Sequence, residues 1–300
     1  MNEPIKYISK VEIKNLWGRY DFEWNLDPEV NILSGINGSG KSTVLECIFY
    51  TIATSIISER LSRIVDSIII TLNNQDIYQN NDRNILPSEH LKDEHINIDL
   101  LRFLRVSVVS TFDILLSQNN SSDKNVRTDL DKEIFTLQKN YLDYQLNIGK
   151  KAFDIVSKNE VNAHDEVLLV SKQRERFIEI INLLFNDTNK KVDTDSNELN
   201  FLCKEGKLTP YQLSSGEKQI LIILLKVLVQ DNKPSILFMD EPEVSLHIDW
   251  QRKLIQYIRE LNPNVQIIIA THSPGIIMDG WMDKVFEMSD LVTLDRKAKS

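Results

Sequence analysis

Residues 35–43 read GINGSGKST, and no other stretch restricts the fold as tightly. The spacing is Gly35, four residues, Gly40, Lys41 and Ser42. An apolar run, VNILS, precedes it at 30–34, and a helical pattern follows over 41–60. A strand that enters a glycine-rich turn and leaves as a helix points several backbone N–H groups at one spot. The helix N-terminus adds the positive end of its dipole. Such a turn cradles phosphate. Gly35, Gly38 and Gly40 let the backbone turn inward, and Asn37 and Ser39 complete the candidate phosphate-binding set. Lys41 is spaced to reach the β- and γ-phosphates of a nucleoside triphosphate, Ser42 to ligate Mg²⁺, and Thr43 to hold the α-phosphate. The class expected around such a loop is α/β with a parallel sheet.

Two later motifs fit the same chemistry. Residues 236–243 read ILFMDEPE, an apolar strand ending in acids. Asp240 is placed to hold the Mg²⁺ water shell and Glu241 to polarise an attacking water. Residues 213–219 read LSSGEKQ. Ser214 and Glu217 have capping-box spacing, and Gly216 permits a close backbone approach. This stretch is either a well-capped helix start or a second phosphate-binding helix terminus.

The rest of the chain falls into three parts. Residues 7–16 and 20–26 alternate as strands, with Phe22, Trp24 and Leu26 on one face. Residues 67–72 form another β-rich run, 73–95 have loop composition, and 105–111 have the pattern of a buried strand. Over 120–190 the period becomes helical. Leu130, Ile134, Leu137, Tyr141, Tyr144 and Ile148 form one seam, with Thr128 as its cap. Val167, Val170, Phe177, Ile181 and Leu184 form a second, with Asn162 as its cap and Arg174 interrupting it. The pair reads as an antiparallel helical hairpin, or else as two amphipathic helices lying on the core. From 201 onward strand and helix alternate: a buried helix at 220–229, strands at 235–240 and 265–271, an amphipathic helix at 249–261, and closing strands at 284–287 and 291–294. The expected organisation is a core from 1–57 and 205–300. An insertion at 58–204 would hold a β segment, a loop and a helical hairpin at about 125–187.

Composition removes several classes. Of 300 residues, 44 are acidic and 35 basic, a formal charge of -9. A protein living by non-specific nucleic-acid attraction is usually basic, so DNA is a partner that the net charge does not indicate. Cys47 and Cys203 make neither a disulfide framework nor a metal motif. The first residues, MNEPIKYISK, lack a signal-peptide core, and the most apolar stretch, 220–229, is broken by Lys226. A bilayer span needs about 20 apolar residues, so no membrane association and a cytoplasmic location are expected.

The order of phosphate loop, LSSGE, MDEPE and ATHSP resembles the ATP-binding-cassette superfamily. EPEVSLHIDWQ at 241–251, and the N-terminal KVEIKNLWGRYDFEWNLDPEVNILSGINGSGKST, look like its soluble RecF, SMC and OLD-type ATPases. The resemblance covers about 1–57 and 205–300. It implies a P-loop ABC-type head: a mixed antiparallel β lobe, a parallel sheet core and a helical insertion. It implies ATP and Mg²⁺ as cofactors and a homodimer, or higher homo-oligomer, closed around ATP. Ser214, Ser215, Gly216 and Glu217 would then meet the nucleotide of the partner chain. Ser215 stands where the family has Gly, and Glu217 where it has Gln. Ser245, Leu246 and His247 occupy the dimer-crossing loop, and His272 the place of the switch histidine that senses the γ-phosphate. Gln75, Gln118 and Gln145 are candidates for the linking glutamine, with Asp113 as another polar end. Small ATPases of this look resemble subunits of bacterial anti-phage systems such as PARIS and Septu. The function so implied is an ATP-hydrolysing switch that controls a separate nuclease or toxin-like effector. The alternatives are a RecF- or SMC-like DNA-repair clamp, a transporter subunit and a scaffold that binds ATP without hydrolysing it.

Overall fold

The computed structural model describes residues 3–53, 59–81, 104–109, 126–158 and 163–295. The chain divides into two compact units. The first comprises Met1–Ser110, Lys233–Pro242 and Asn264–Ser300, the second Thr111–Asn232 and Glu243–Pro263.

The first unit holds two sheets. Strands β1 (Ile8–Leu16), β2 (Tyr20–Asn25), β4 (Ser67–Leu72), β5 (Ile77–Asn81) and β13 (Val292–Asp295) form an antiparallel sheet in the order β13-β2-β1-β4-β5. The buried residues of β1 are Ile8, Val11, Ile13 and Leu16, a spacing no strict alternation produces. Register shifts between Ile8 and Lys10 and between Ile13 and Leu16 return each to the inner face. Phe22 and Trp24 are buried beside them, as the alternation of β2 predicts. The structure differs over 73–95, where the composition is that of a loop. Its described part turns at Gln75 and returns as β5 against β4. Backbone pairing needs no apolar side chains, and Ile77 is exposed, so composition carries no sign of this strand. Strands β4 and β5, which fall within the expected insertion, are hydrogen-bonded into the β1 sheet.

The second sheet is parallel, in the order β12-β3-β11-β10-β6, from β3 (Val30–Ser34), β6 (Arg105–Val109), β10 (Ser235–Asp240), β11 (Val265–Ala270) and β12 (Val285–Glu287). Every residue of β11, and all of β10 but Asp240, is buried, as continuous apolar runs predict. In β6 only Val109 is buried, so the fully buried strand expected there lies at the sheet edge instead. The helix expected over 41–60 is described as α1 (Lys41–Ala53) and α2 (Glu59–Ser62). Val44, Cys47, Ile48 and Ile52 of α1 join Ile236, Phe238 and Ile268 below and Ile13, Phe22 and Trp24 above in one core. Each such side chain removed from water contributes about 1.5–3 kcal/mol. Gln266 of β11 is buried, and its amide bonds the N–H of Ile8 at 2.8 Å and the carbonyls of Ile8 and Asp27 at 2.8 and 2.9 Å. A satisfied buried amide fixes β1 against the parallel sheet, where an apolar contact alone would slide.

The second unit contains α3 (Asp129–Ser157), α4 (Ala163–Leu184), α5 (Ser215–Leu228), α6 (Ile248–Leu261) and a small antiparallel sheet of β7 (Lys191–Val192), β8 (Phe201–Cys203) and β9 (Gly206–Leu208). Sequence periodicity leaves this small sheet out; its strands are two or three residues long. Thr128 caps α3: its Oγ1 accepts from the Asp131 N–H, and Asp131 accepts from the Thr128 N–H. Helices α3 and α4 pack together, and each also packs on α5. Leu130, Ile134, Leu137, Tyr141 and Tyr144 face inward with Phe177, Ile181 and Leu184. Farther out, Ile148, Val167 and Val170 are half-buried, and Phe153, Val156, Leu168 and Leu169 are exposed. The seam is therefore buried along Leu130–Tyr144 and Phe177–Leu184 and open beyond them. The cap position Asn162 lies outside the described residues. Among the described residues no helix is long and apolar enough to cross a membrane.

Candidate nucleotide-binding site

Parallel pairing brings the chemistry together. Ala270 of β11 stands opposite Leu33 of β3 and opposite Asp240 of β10, so the three strands end at one edge. Gly35 and Glu241 follow directly from two of those ends, and His272 stands two residues past the third. Chain direction alone therefore delivers the loop, the acids and the histidine to one edge.

The loop turns at Ser39, whose N–H donates to the Ile36 carbonyl at 3.1 Å, and α1 starts with the Val44 N–H on the Gly40 carbonyl at 3.0 Å. Lys41 is buried at 4% exposure, and its ammonium donates to the carbonyls of Gly35 at 2.9 Å and Ile36 at 3.4 Å. Glu241 Oε1 lies 3.9 Å from that ammonium and 3.4 Å from His272 Nδ1. The Glu241 backbone is left-handed, at φ 46, and its N–H donates to the Ala270 carbonyl at 2.7 Å. A non-glycine residue in that region costs on the order of 1–3 kcal/mol. The conformation ends β10 and turns the glutamate between Lys41 and His272. Ser42 Oγ donates to Asp240 Oδ1 at 3.0 Å. A cavity of about 320 Å³ opens here, lined by Asn37, Gly38, Gly40, Lys41, Ser42, Thr43 and Glu241, together with Trp17.

Trp17 is the contributor that sequence patterning misses. It has a left-handed backbone, φ 55, in the turn between β1 and β2, and its indole lies on Gly40. A Cβ on Gly40 would stand 1.8 Å from the ring, and Gly40 itself has φ 101, so only glycine fits. No local pattern foretells a ring and a glycine 23 residues apart meeting.

The residues present fit a nucleotide and its Mg²⁺. A buried ammonium that holds two loop carbonyls, with one carboxylate oxygen at 3.9 Å, is a cation suited to anionic oxygens. Ser39 Oγ is buried without a hydrogen-bond partner. Ser42 and Asp240 offer two hard oxygen donors side by side. Among the described residues no cluster of three His, Cys, Asp or Glu side chains could hold a metal by itself.

LSSGE lies in the second unit. Ser214 and Ser215 are exposed, and Gly216 is half-buried at the start of α5. A Cβ on Gly216 would lie 2.4 Å from the Ser245 carbonyl oxygen, so glycine lets these two segments touch. Glu217 is 3% exposed. Its carboxylate accepts from the N–H and Oγ of Ser214, both at 2.9 Å, from Thr188 Oγ1 at 2.9 Å, and from Lys190 Nζ at 2.7 and 2.9 Å. Burial works against its charge, and Lys190, Ser214 and Thr188 more than offset it, holding the carboxyl below its ordinary range. His247 caps α6, its Nδ1 accepting from the Asp249 N–H at 3.4 Å. Gln75 sits in the β4–β5 turn, and Gln145 on α3 donates to the Asn197 carbonyl; neither lines the phosphate-loop cavity. Gln118 and Asp113 lie outside the described residues.

Fold and site together are those of a phosphate-loop nucleotide-binding head. A family model described as "AAA domain, putative AbiEii toxin, Type IV TA system" (AAA_21) matches residues 30–279, and the chain belongs to that family. Among curated proteins it is similar to "Septu protein PtuA" of Bacillus thuringiensis, 24% identical over 90% of this chain and 72% of that one. It also matches "DNA replication and repair protein RecF" of Clostridium botulinum, 24% identical over 73% of this chain and 66% of that one. A shorter match, 24% identical over 40% of this chain and 26% of the other, is to "Retron Vc95 probable ATPase" of Vibrio cholerae. Among solved structures the fold is similar to an SMC head bound to the C-winged helix domain of ScpA, with a TM-score of 0.51 at 16% identity over 91% of both chains.

Proposed function

We propose that this protein hydrolyses ATP and works as a switch that closes as a homodimer around the nucleotide. The observation that carries the reading is the placement of Glu241 between the Lys41 ammonium and His272, beside the Ser42–Asp240 pair. Lys41 exchanges its carbonyl partners for the β- and γ-phosphates. Ser42 and Asp240 hold Mg²⁺, which when bound neutralises phosphate charge. Glu241 accepts a hydrogen bond from the attacking water and orients it in line, and general-base help of this kind is worth about 10²–10⁴ in rate. His272 donates to the γ-phosphate and so responds to its presence. Ser214, Ser215 and Gly216 of a second copy contact that phosphate, so each ATP is fully ligated only when two chains meet. Glu217 acts from beneath, by fixing Ser214.

The match to the Septu protein PtuA, over most of both chains, supports a role in anti-phage defence with a separate effector protein. The RecF match supports a second reading, a DNA-bound clamp. Binding of duplex DNA to the ATP-loaded protein, weakening steeply with salt, would favour it.

Lys41→Ala removes charge-assisted bonds worth about 1.5–3 kcal/mol each, so ATP affinity should fall by about 100-fold. Calorimetric titration giving wild-type affinity would refute the phosphate-loop assignment. Glu241→Gln should still bind ATP while phosphate release falls about 10²–10⁴-fold, and normal turnover would remove Glu241 from the mechanism.

A further inference from the structure

Glu217 and Lys218 are adjacent residues of opposite charge in the first turn of α5. Each is buried, and each is paired with a different root of the α3–α4 hairpin. Glu217 takes Lys190, two residues past the short 3₁₀ turn that ends α4. Lys218 Nζ takes Asp131 Oδ1 at 2.7 Å, in the first turn of α3. Asp131 is doubly committed, since its Oδ2 also accepts from the N–H groups of Arg127 and Thr128 and caps that helix. A third pair, Lys226 with Glu133, joins the same two helices again, eight residues farther along α5 and two farther along α3. The segment from α4 to Lys190 is anchored by packing. Phe185 is buried between the rings of Phe201 and Trp250, and Asn189 holds a left-handed backbone at φ 54.

Buried ion pairs add little net stability over apolar packing, yet breaking one partner leaves an uncompensated buried charge. Their value is geometric. Two opposed pairs on successive residues fix both the rotation and the height of one helical turn. The turn fixed here carries Ser214, whose hydroxyl is held by the same carboxylate that Lys190 engages.

We propose that Lys190 and Asp131 are positioning residues for the LSSGE turn, and that through them the α3–α4 hairpin sets the affinity of the composite ATP site. This deepens the homodimer reading and rests on it. A partner that displaces either root of the hairpin moves Ser214 without touching the phosphate loop.

The test uses full-length protein carrying Glu241→Gln, alone and with Lys190→Met, Lys190→Arg or Asp131→Asn. Three readouts are needed: affinity for a fluorescent ATP analogue, ATP-driven association by sedimentation velocity, and amide exchange at residues 217–220. Lys190→Met and Asp131→Asn are expected to leave analogue affinity unchanged. They should raise exchange in that turn and weaken association by at least about tenfold, the effect of about 1.4 kcal/mol. Lys190→Arg, which keeps the charge, should restore association. Unchanged exchange in the turn overturns the proposal whether or not the protein dimerises. Altered exchange with intact association overturns the link to the site. A Glu241→Gln parent that never associates removes the homodimer reading, and the role given to the turn falls with it. Thermal melts of each variant separate these results from loss of fold.

Discussion

Gly40 and Gly216 are both glycines for want of space, and they differ in backbone. Gly40 adopts a φ that other residues avoid and lies under Trp17, whereas Gly216 is helical and meets only the Ser245 carbonyl. Gly216→Ala therefore adds no backbone strain and must push two segments apart, at a cost of about 1–3 kcal/mol. A urea midpoint equal to wild type would contradict that contact. Glu217 adds a pH dependence. Its folded pKa is below its unfolded value, so its contribution is present above the ordinary carboxylate range and is lost as pH falls through the folded value. Glu217→Gln should flatten the acid limb of the stability curve, measured as melting temperature against pH. An unchanged limb would show that Glu217 gains nothing from Lys190. At this scale the sequence reveals what is local. The glycine spacing, Lys41, Asp240 and Glu241 are visible as strings, whereas Trp17 on Gly40 and Lys190 under Glu217 depend on chain segments meeting.

Among elements, legibility follows burial. Strands β10 and β11 are buried on both faces and read as apolar runs at Ile236–Met239 and Ile267–Ala270. Helices α3 and α4 show their seams because one face of each is inward. Strand β5 and the β7–β9 sheet are held by backbone pairing with few inward side chains, so periodicity has nothing to register. Helix α3 also carries an exposed Gly149 with open space around its Cβ position. Gly149→Ala should stabilise the protein by about 0.5–1 kcal/mol, read from the denaturation midpoint. A loss of stability would mean that this part of α3 is not the regular helix described.

For the molecule as a whole, the antiparallel lobe and the parallel sheet share one core through α1, and Cys47 lies within it. Burial pushes its thiol up to about 12. A thiol reagent should label Cys203 at once and Cys47 only as the fold opens, which makes Cys47 a reporter of global unfolding. Rapid labelling of both would place the α1 core in solvent. The central claim is that ATP joins two copies of this chain. Sedimentation or light scattering of the Glu241→Gln protein with Mg-ATP tests it most directly. The expected result is a mass rising from 34.8 kDa toward twice that value on adding nucleotide and falling back when nucleotide is removed. A mass fixed at one chain across a wide range of protein and nucleotide concentration, with ATP demonstrably bound, would contradict it.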